Sequence, residues 1–153
     1  MENKVNFQIP SETITQVVEK VNEIDQILNP FLVGLTPEDR QNLPKMGDGT
    51  TPFVLKCLEY SKTNPEFAPP FLAQDGFASD MEAWSQLMAV LRPIKQLYDA
   101  LDDTTMQAGA ESYVAALSYY NSVKYAARSG IPGSKAISDD LKIRFAKNGN
   151  RKS

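Results

Sequence analysis

Few residues in this chain could do covalent or acid–base chemistry. Asp99, Asp102 and Asp103 stand close together, at spacings that bring them to one helix corner. Oxygen ligands in that arrangement could hold a hard divalent cation, or an aspartate there could cap the following helix. Glu111 is the one acid in the segment from Thr104 to Ser129. It reads as a solvent-facing or interface carboxylate, with a buried functional role as the alternative. Arg40 and Lys45 lie in the stretch of residues 35–53 and are candidates for an anion site at a helix N-terminus. Tyr113, Tyr119, Tyr120 and Tyr125 cluster late in the chain. Tyr113 and Tyr120 are seven residues apart and share a helical face. Tyrosine is enriched where one end of a ring is dry and the other wet. The first reading of the tyrosines is buried core with their hydroxyls at its edge; Tyr113, Leu117, Tyr119 and Tyr120 are possible interface residues, and ligand stacking is the further alternative.

The absent residues exclude more than the present ones suggest. The sequence has no histidine and a single cysteine, Cys57. Serine–histidine and cysteine–histidine nucleophile pairs are ruled out. So are the Glu-x-x-His sites of di-iron bundles and a zinc site of ordinary donors. No serine is followed three residues later by lysine, so that nucleophile route is also missing. No catalytic residue, cofactor or metal is expected. One cysteine allows no intramolecular disulfide, and Cys57 sits in an apolar run where it packs as a small hydrophobe.

The stretch "LTPEDRQNLPKMGDGTTPF", residues 35–53, is the most unusual local pattern. A phosphate loop would need glycines before the lysine and a strand before both, and here Lys45 comes first. A calcium loop would need alternating oxygen ligands, and only Asp48 is available. As a joint between helices, every residue has a use. Thr36 is an N-cap, Pro37 suits a first helical turn, and Asp39 completes a near capping box. Gly47-Asp48-Gly49 makes a turn, and Thr51-Pro52 starts the next helix. The same stretch resembles the recurrent signature of an uncharacterised bacterial family of small helical-bundle proteins, with an LTPE-x-R-x-x-LPKMGD-type loop. The resemblance extends to a closing "DLKIRF" segment before a basic tail. It implies a helical bundle and a bacterial source, and brings no activity and no functional residues.

These residues must be carried by helices. In "SETITQVVEKVNEIDQIL" the apolar residues Ile14, Val17, Val21, Ile24 and Leu28 step by three and four, one helical stripe. Asn29-Pro30 should end it. A shorter helix from about Pro52 to Lys62 turns Val54, Cys57 and Leu58 inward. "NPEFAPPFLAQDG" wraps the fold through Phe67, Phe71 and Leu72. "FASDMEAWSQLMAVLRPIKQLYDAL" carries a second stripe through Trp84 and Met88, with a kink expected at Pro93. The next helix, residues 104–129, is apolar nearly all round, so it is central or covered by another subunit. Gly130 stops it, and "IPGSKAISDDLKIRF" adds a last short helix with Ile137, Leu141 and Phe145 on one face. No strand is expected.

The fold class expected is all-α, an antiparallel four-helix bundle with additional short helices. The chain would be a single domain, 1–146, with a basic flexible tail, 147–153. The 153 residues can bury a core, and 42% apolar with 23% charged is ordinary for a soluble domain. The net charge is -3, with 11 basic against 19 acidic residues before Leu141 and only basic ones after it. That balance gives no pull toward nucleic acid. No signal peptide or membrane span is read, so the location expected is cytoplasmic. The function expected is non-enzymatic, through protein–protein association or self-assembly. The alternative is a small-molecule-binding bundle with an apolar pocket between helices, lined by Trp84, Met88 and the tyrosines.

Overall fold

A computed structural model describes residues 3–149, with side chains from 3 to 146. It is all helical, and no strand occurs among the described residues. Among the described residues five α-helices follow one another: α1 Ser11–Leu28, α2 Pro37–Asn42, α3 Thr51–Thr63, α4 Gln74–Arg128 and α5 Ser134–Gly149. Short 3-10 turns follow α1 at Asn29–Phe31 and α3 at Pro65–Phe67. Each contains the proline that stops a helix, as its ring demands.

The boundary expected near residues 101–104 is absent. α4 runs unbroken for 55 residues, so two expected helices are one. Residues 101–104 contain neither glycine nor proline. The hydroxyl of Thr104 donates to the carbonyl of Ala100 at 2.7 Å, satisfying itself inside the helix instead of starting a new one. Asp102 and Asp103 therefore lie in mid-helix and cap nothing. α4 also continues through Pro93.

The chain forms two compact units. The first contains residues 8–96. Here Met81 is buried, and Val54, Cys57, Leu58, Phe77, Trp84 and Met88 are half-buried. The side chain of Gln74 donates to the carbonyl of Ser61 at 2.7 Å and ties the start of α4 to α3. The second unit contains residues 3–7 and 97–149. Here Val123 and Ser134 are buried, with Leu117, Tyr120 and Leu141 half-buried. Of the expected basic tail, α5 includes the backbone to Gly149, and residues 150–153 lie outside the described residues.

α4 ends as its sequence directs. The N–H of Ile131 donates to Ala126 at 3.1 Å and that of Gly130 to Ala127 at 3.3 Å, the paired bonds of a Schellman cap. Gly130 has φ +71°, and no atom crowds the place a Cβ would take. The whole penalty for a side chain is thus conformational. Gly130→Ala is expected to destabilise the protein by about 1–2 kcal/mol. Chemical denaturation would check this, and an unchanged midpoint would contradict it.

Candidate functional site

The residues singled out by sequence fall into four places. The first is the late part of α4. Tyr113, Tyr119 and Tyr125 are exposed there, at 57%, 59% and 73%. Tyr120 is different. Its ring centroid lies 5.8 Å from that of Phe145 on α5, and the ammonium of Lys124 sits 4.5 Å above its face. Tyr120 and the half-buried Leu117 therefore belong to the packing of their own unit more than to an outer surface.

Glu111, on the same helix, is half-buried, and its carboxylate is surrounded by donors. The side chain of Gln107 donates to Oε1 at 2.7 Å. The backbone N–H of Lys4 donates to Oε1 at 2.7 Å, and that of Val5 to Oε2 at 3.3 Å. The amide nitrogen of Asn3, turned toward the carboxylate, reaches Oε2 at 2.7 Å. One side chain thus holds residues 3–5 against the helix. The amide of Gln107 first, and then the N–H of Lys4, hold the Glu111 carboxyl below the usual glutamate range. Asn3, Val5, Ala108, Glu111, Ser112, Val114 and Ala115 border an open hollow of about 530 Å³ beside this clamp. Small residues at 108, 112 and 115 leave the room.

The second place is the loop of residues 35–53, and its geometry is that of a joint. Thr36 accepts from the N–H of Asp39 at 3.1 Å, and Asp39 accepts from the N–H of Thr36 at 3.0 Å, a closed capping box on α2. The hydroxyl and the N–H of Thr36 hold the Asp39 carboxyl below its ordinary value. Thr36→Ala is expected to cost about 1 kcal/mol and to fray α2, read as faster amide exchange at residues 39–42. The start of α3 departs from expectation. Thr50 occupies the cap position without a side-chain cap, and the hydroxyls of Thr50 and Thr51 bond back to the carbonyl of Gly47 at 3.1 and 2.8 Å. Asp48 accepts from Arg92 of α4 at 2.7 Å. Arg40 is exposed in the last turn of α2, and Lys45 is exposed in the loop beyond it.

The third place is a hollow of about 570 Å³ lined by Cys57, Tyr60, Ser61, Asn64, Phe67, Ala68, Pro69 and Leu72. Its lining is largely apolar, and it is open to solvent, with Phe67 exposed at its rim. Trp84, Met88 and the late tyrosines do not line it. Its walls come from α3 and the proline-rich connection after it. The fourth place is the aspartate corner. Asp99, Asp102 and Asp103 are exposed on α4. Among the described residues, no group of three or more histidine, cysteine, aspartate or glutamate side chains is placed to hold a metal.

The hold of Glu111 on residues 3–5 had no reading in sequence, because the backbone N–H groups it holds lie more than a hundred residues away. The chain matches no protein-family model, no curated protein and no solved structure.

Proposed function

We propose that this is a non-enzymatic protein that works by association with other proteins, including copies of itself. One observation carries the reading: the exposed apolar stripes of the helices. Among the described residues only Met81 and Val123 are buried apolar side chains. Ile14, Val17, Val21 and Ile24 of α1 and Leu91, Leu97, Tyr98 and Leu101 of α4 are all exposed. Scattered surface hydrophobes need no explanation, but continuous helical stripes of them mark interaction surfaces.

An antiparallel four-helix bundle within one chain would require α4 to turn back near residues 101–104, where it is continuous. The bundle-type packing of these stripes is then completed between chains. Tyr113 and Tyr119 extend the interface along α4. The resemblance of the loop of residues 35–53 to the LTPE-x-R-x-x-LPKMGD-type signature supports reading the chain as a bacterial helical-bundle protein, and a cytoplasmic location accompanies that reading. No described helix is long and apolar enough to cross a membrane. No nucleic-acid partner is proposed, since the acidic body would repel phosphate.

The hollow beside Cys57 favours a second reading, a small-molecule-binding helical protein. Native mass spectrometry of protein purified from its own cells separates the two. A multimer, or a complex with a second protein, supports association. A monomer carrying a few hundred extra daltons supports the ligand-binding reading, and a bare monomer removes both.

A further inference from the structure

The apolar residues of α1 recur at Ile14, Val17, Val21, Ile24 and Leu28, in steps of three, four, three and four. That is the a–d alternation of a heptad, with a 3.5-residue period that keeps the seam facing a parallel neighbour along the whole helix. With Ile14 at a, Val21 and Leu28 are also a, and Val17 and Ile24 are d. The first four of these are 46%, 53%, 55% and 44% exposed, and no residue of α1 is buried. The outer positions hold Thr15, Gln16, Glu19, Asn22, Glu23 and Gln26, all polar.

We propose that α1 assembles with the α1 helices of further copies of this chain as a parallel, three-stranded coiled coil. The proposal rests on the association reading and names its partner. Two observations set the geometry. Lys20 falls at g and Asp25 at the e position of the next heptad. In a parallel coil, g of one helix lies beside that following e of its neighbour, so Lys20 of each copy meets Asp25 of the next. An antiparallel pair on the same seam would instead face Lys20 with another Lys20. Lys20 pairs with Glu23 at 3.0 Å, with both side chains more than half exposed, so it re-pairs readily. The strand number follows from side-chain shape. Ile14 and Val21 at a, with Val17 and Ile24 at d, are all β-branched. β-branching at both positions favours three strands or more over two. Val18 at e and Ile27 at g, 52% and 69% exposed, widen the apolar seam beyond what a pair would cover.

Sedimentation equilibrium of the full chain tests this, with Lys20→Glu, Asp25→Lys, the double variant Lys20→Glu/Asp25→Lys, and Val21→Asp. The wild type is expected at three times the 17.0 kDa of one chain. Each single charge reversal should weaken assembly roughly tenfold, and the double variant should restore it. Val21→Asp should give monomer, with circular dichroism reporting whether its helices persist. The charge variants keep the test independent of that variant's folding. An assembly indifferent to both charge reversals overturns the α1 seam and leaves association through another face standing. A wild-type dimer overturns the three-stranded geometry. A wild-type monomer overturns the proposal outright, and the association reading is then decided by whether the protein from its own cells carries a second protein.

Discussion

Glu111→Gln should release residues 3–5 from α4. The carboxylate accepts two consecutive backbone N–H groups, from Lys4 and Val5, and two side-chain amides, from Gln107 and Asn3. A neutral amide in its place offers one oxygen and one NH₂. The NH₂ then faces donors, so at least one N–H of the segment loses its acceptor. Charge-assisted bonds are also the stronger kind, and all of that assistance disappears. Amide exchange at Lys4 and Val5 should accelerate by about tenfold or more, while the amide of buried Val123 keeps its rate. Equal exchange at Lys4 and Val5 in both proteins would show that the clamp does not hold the segment. The same contact predicts a pH dependence. The Glu111 carboxyl titrates below the usual glutamate value because the Gln107 amide, then the Lys4 N–H, favour its charged form. A depressed carboxyl contributes its stabilisation above the unfolded value, about 4.3, and loses it as pH falls through the lowered folded value. The segment should stay docked at neutral pH and come free in acid. Glu111→Gln should be released at every pH.

How much of this was legible beforehand depended on the range of the interaction. α1 was readable because its stripe, its polar outer face and Pro30 all lie within one short window. The capping box was readable because Thr36 and Asp39 are three residues apart. The continuity of α4 was not. Asp102, Asp103 and Thr104 are the residue types that start helices, and it is the unbroken α4 backbone, with the bond from Thr104 back to Ala100, that shows they continue one. The spacing put Tyr120 on the same face as Tyr113, and nothing local says that Phe145 lies against its ring. The Glu111 clamp was silent for the same reason in a stronger form. Backbone N–H groups exist at almost every residue, so no side-chain pattern marks Lys4 and Val5 as its partners. The hollow beside Cys57 combines both cases: the inward turn of Cys57 was local and readable, while the wall supplied by Phe67 and Leu72 depended on how the proline-rich connection folds back.

Pro93→Ala should raise stability by about 2–3 kcal/mol, equivalent to roughly 5–10 °C in Tm for a chain of this size. Pro93 lies inside α4, and having no N–H it cannot donate to the carbonyl of Ala89. Its ring also disfavours the helical conformation that Arg92 must adopt before it. Pro93 is exposed, so alanine gives up no buried contact in exchange. The folded-state effects therefore share one sign and exceed the roughly 0.4–1 kcal/mol by which proline restricts the unfolded chain, and differential scanning calorimetry reads the sum. An unchanged or lowered Tm would mean that the backbone around Pro93 has adapted to the ring and that the ordinary helix penalty is already absent. The companion measurement is the assembly mass of the same variant. Arg92, immediately before the proline, reaches Asp48 in the loop of residues 35–53, and the exposed residues Leu91 and Ile94 flank it. If Pro93→Ala is more stable yet assembles less well, the proline is held for the shape it gives this apolar stretch of α4, a loss of stability tolerated for function. If stability rises and assembly is untouched, this stretch of α4 lies outside the interface, and the search for it narrows to α1 and the late tyrosines.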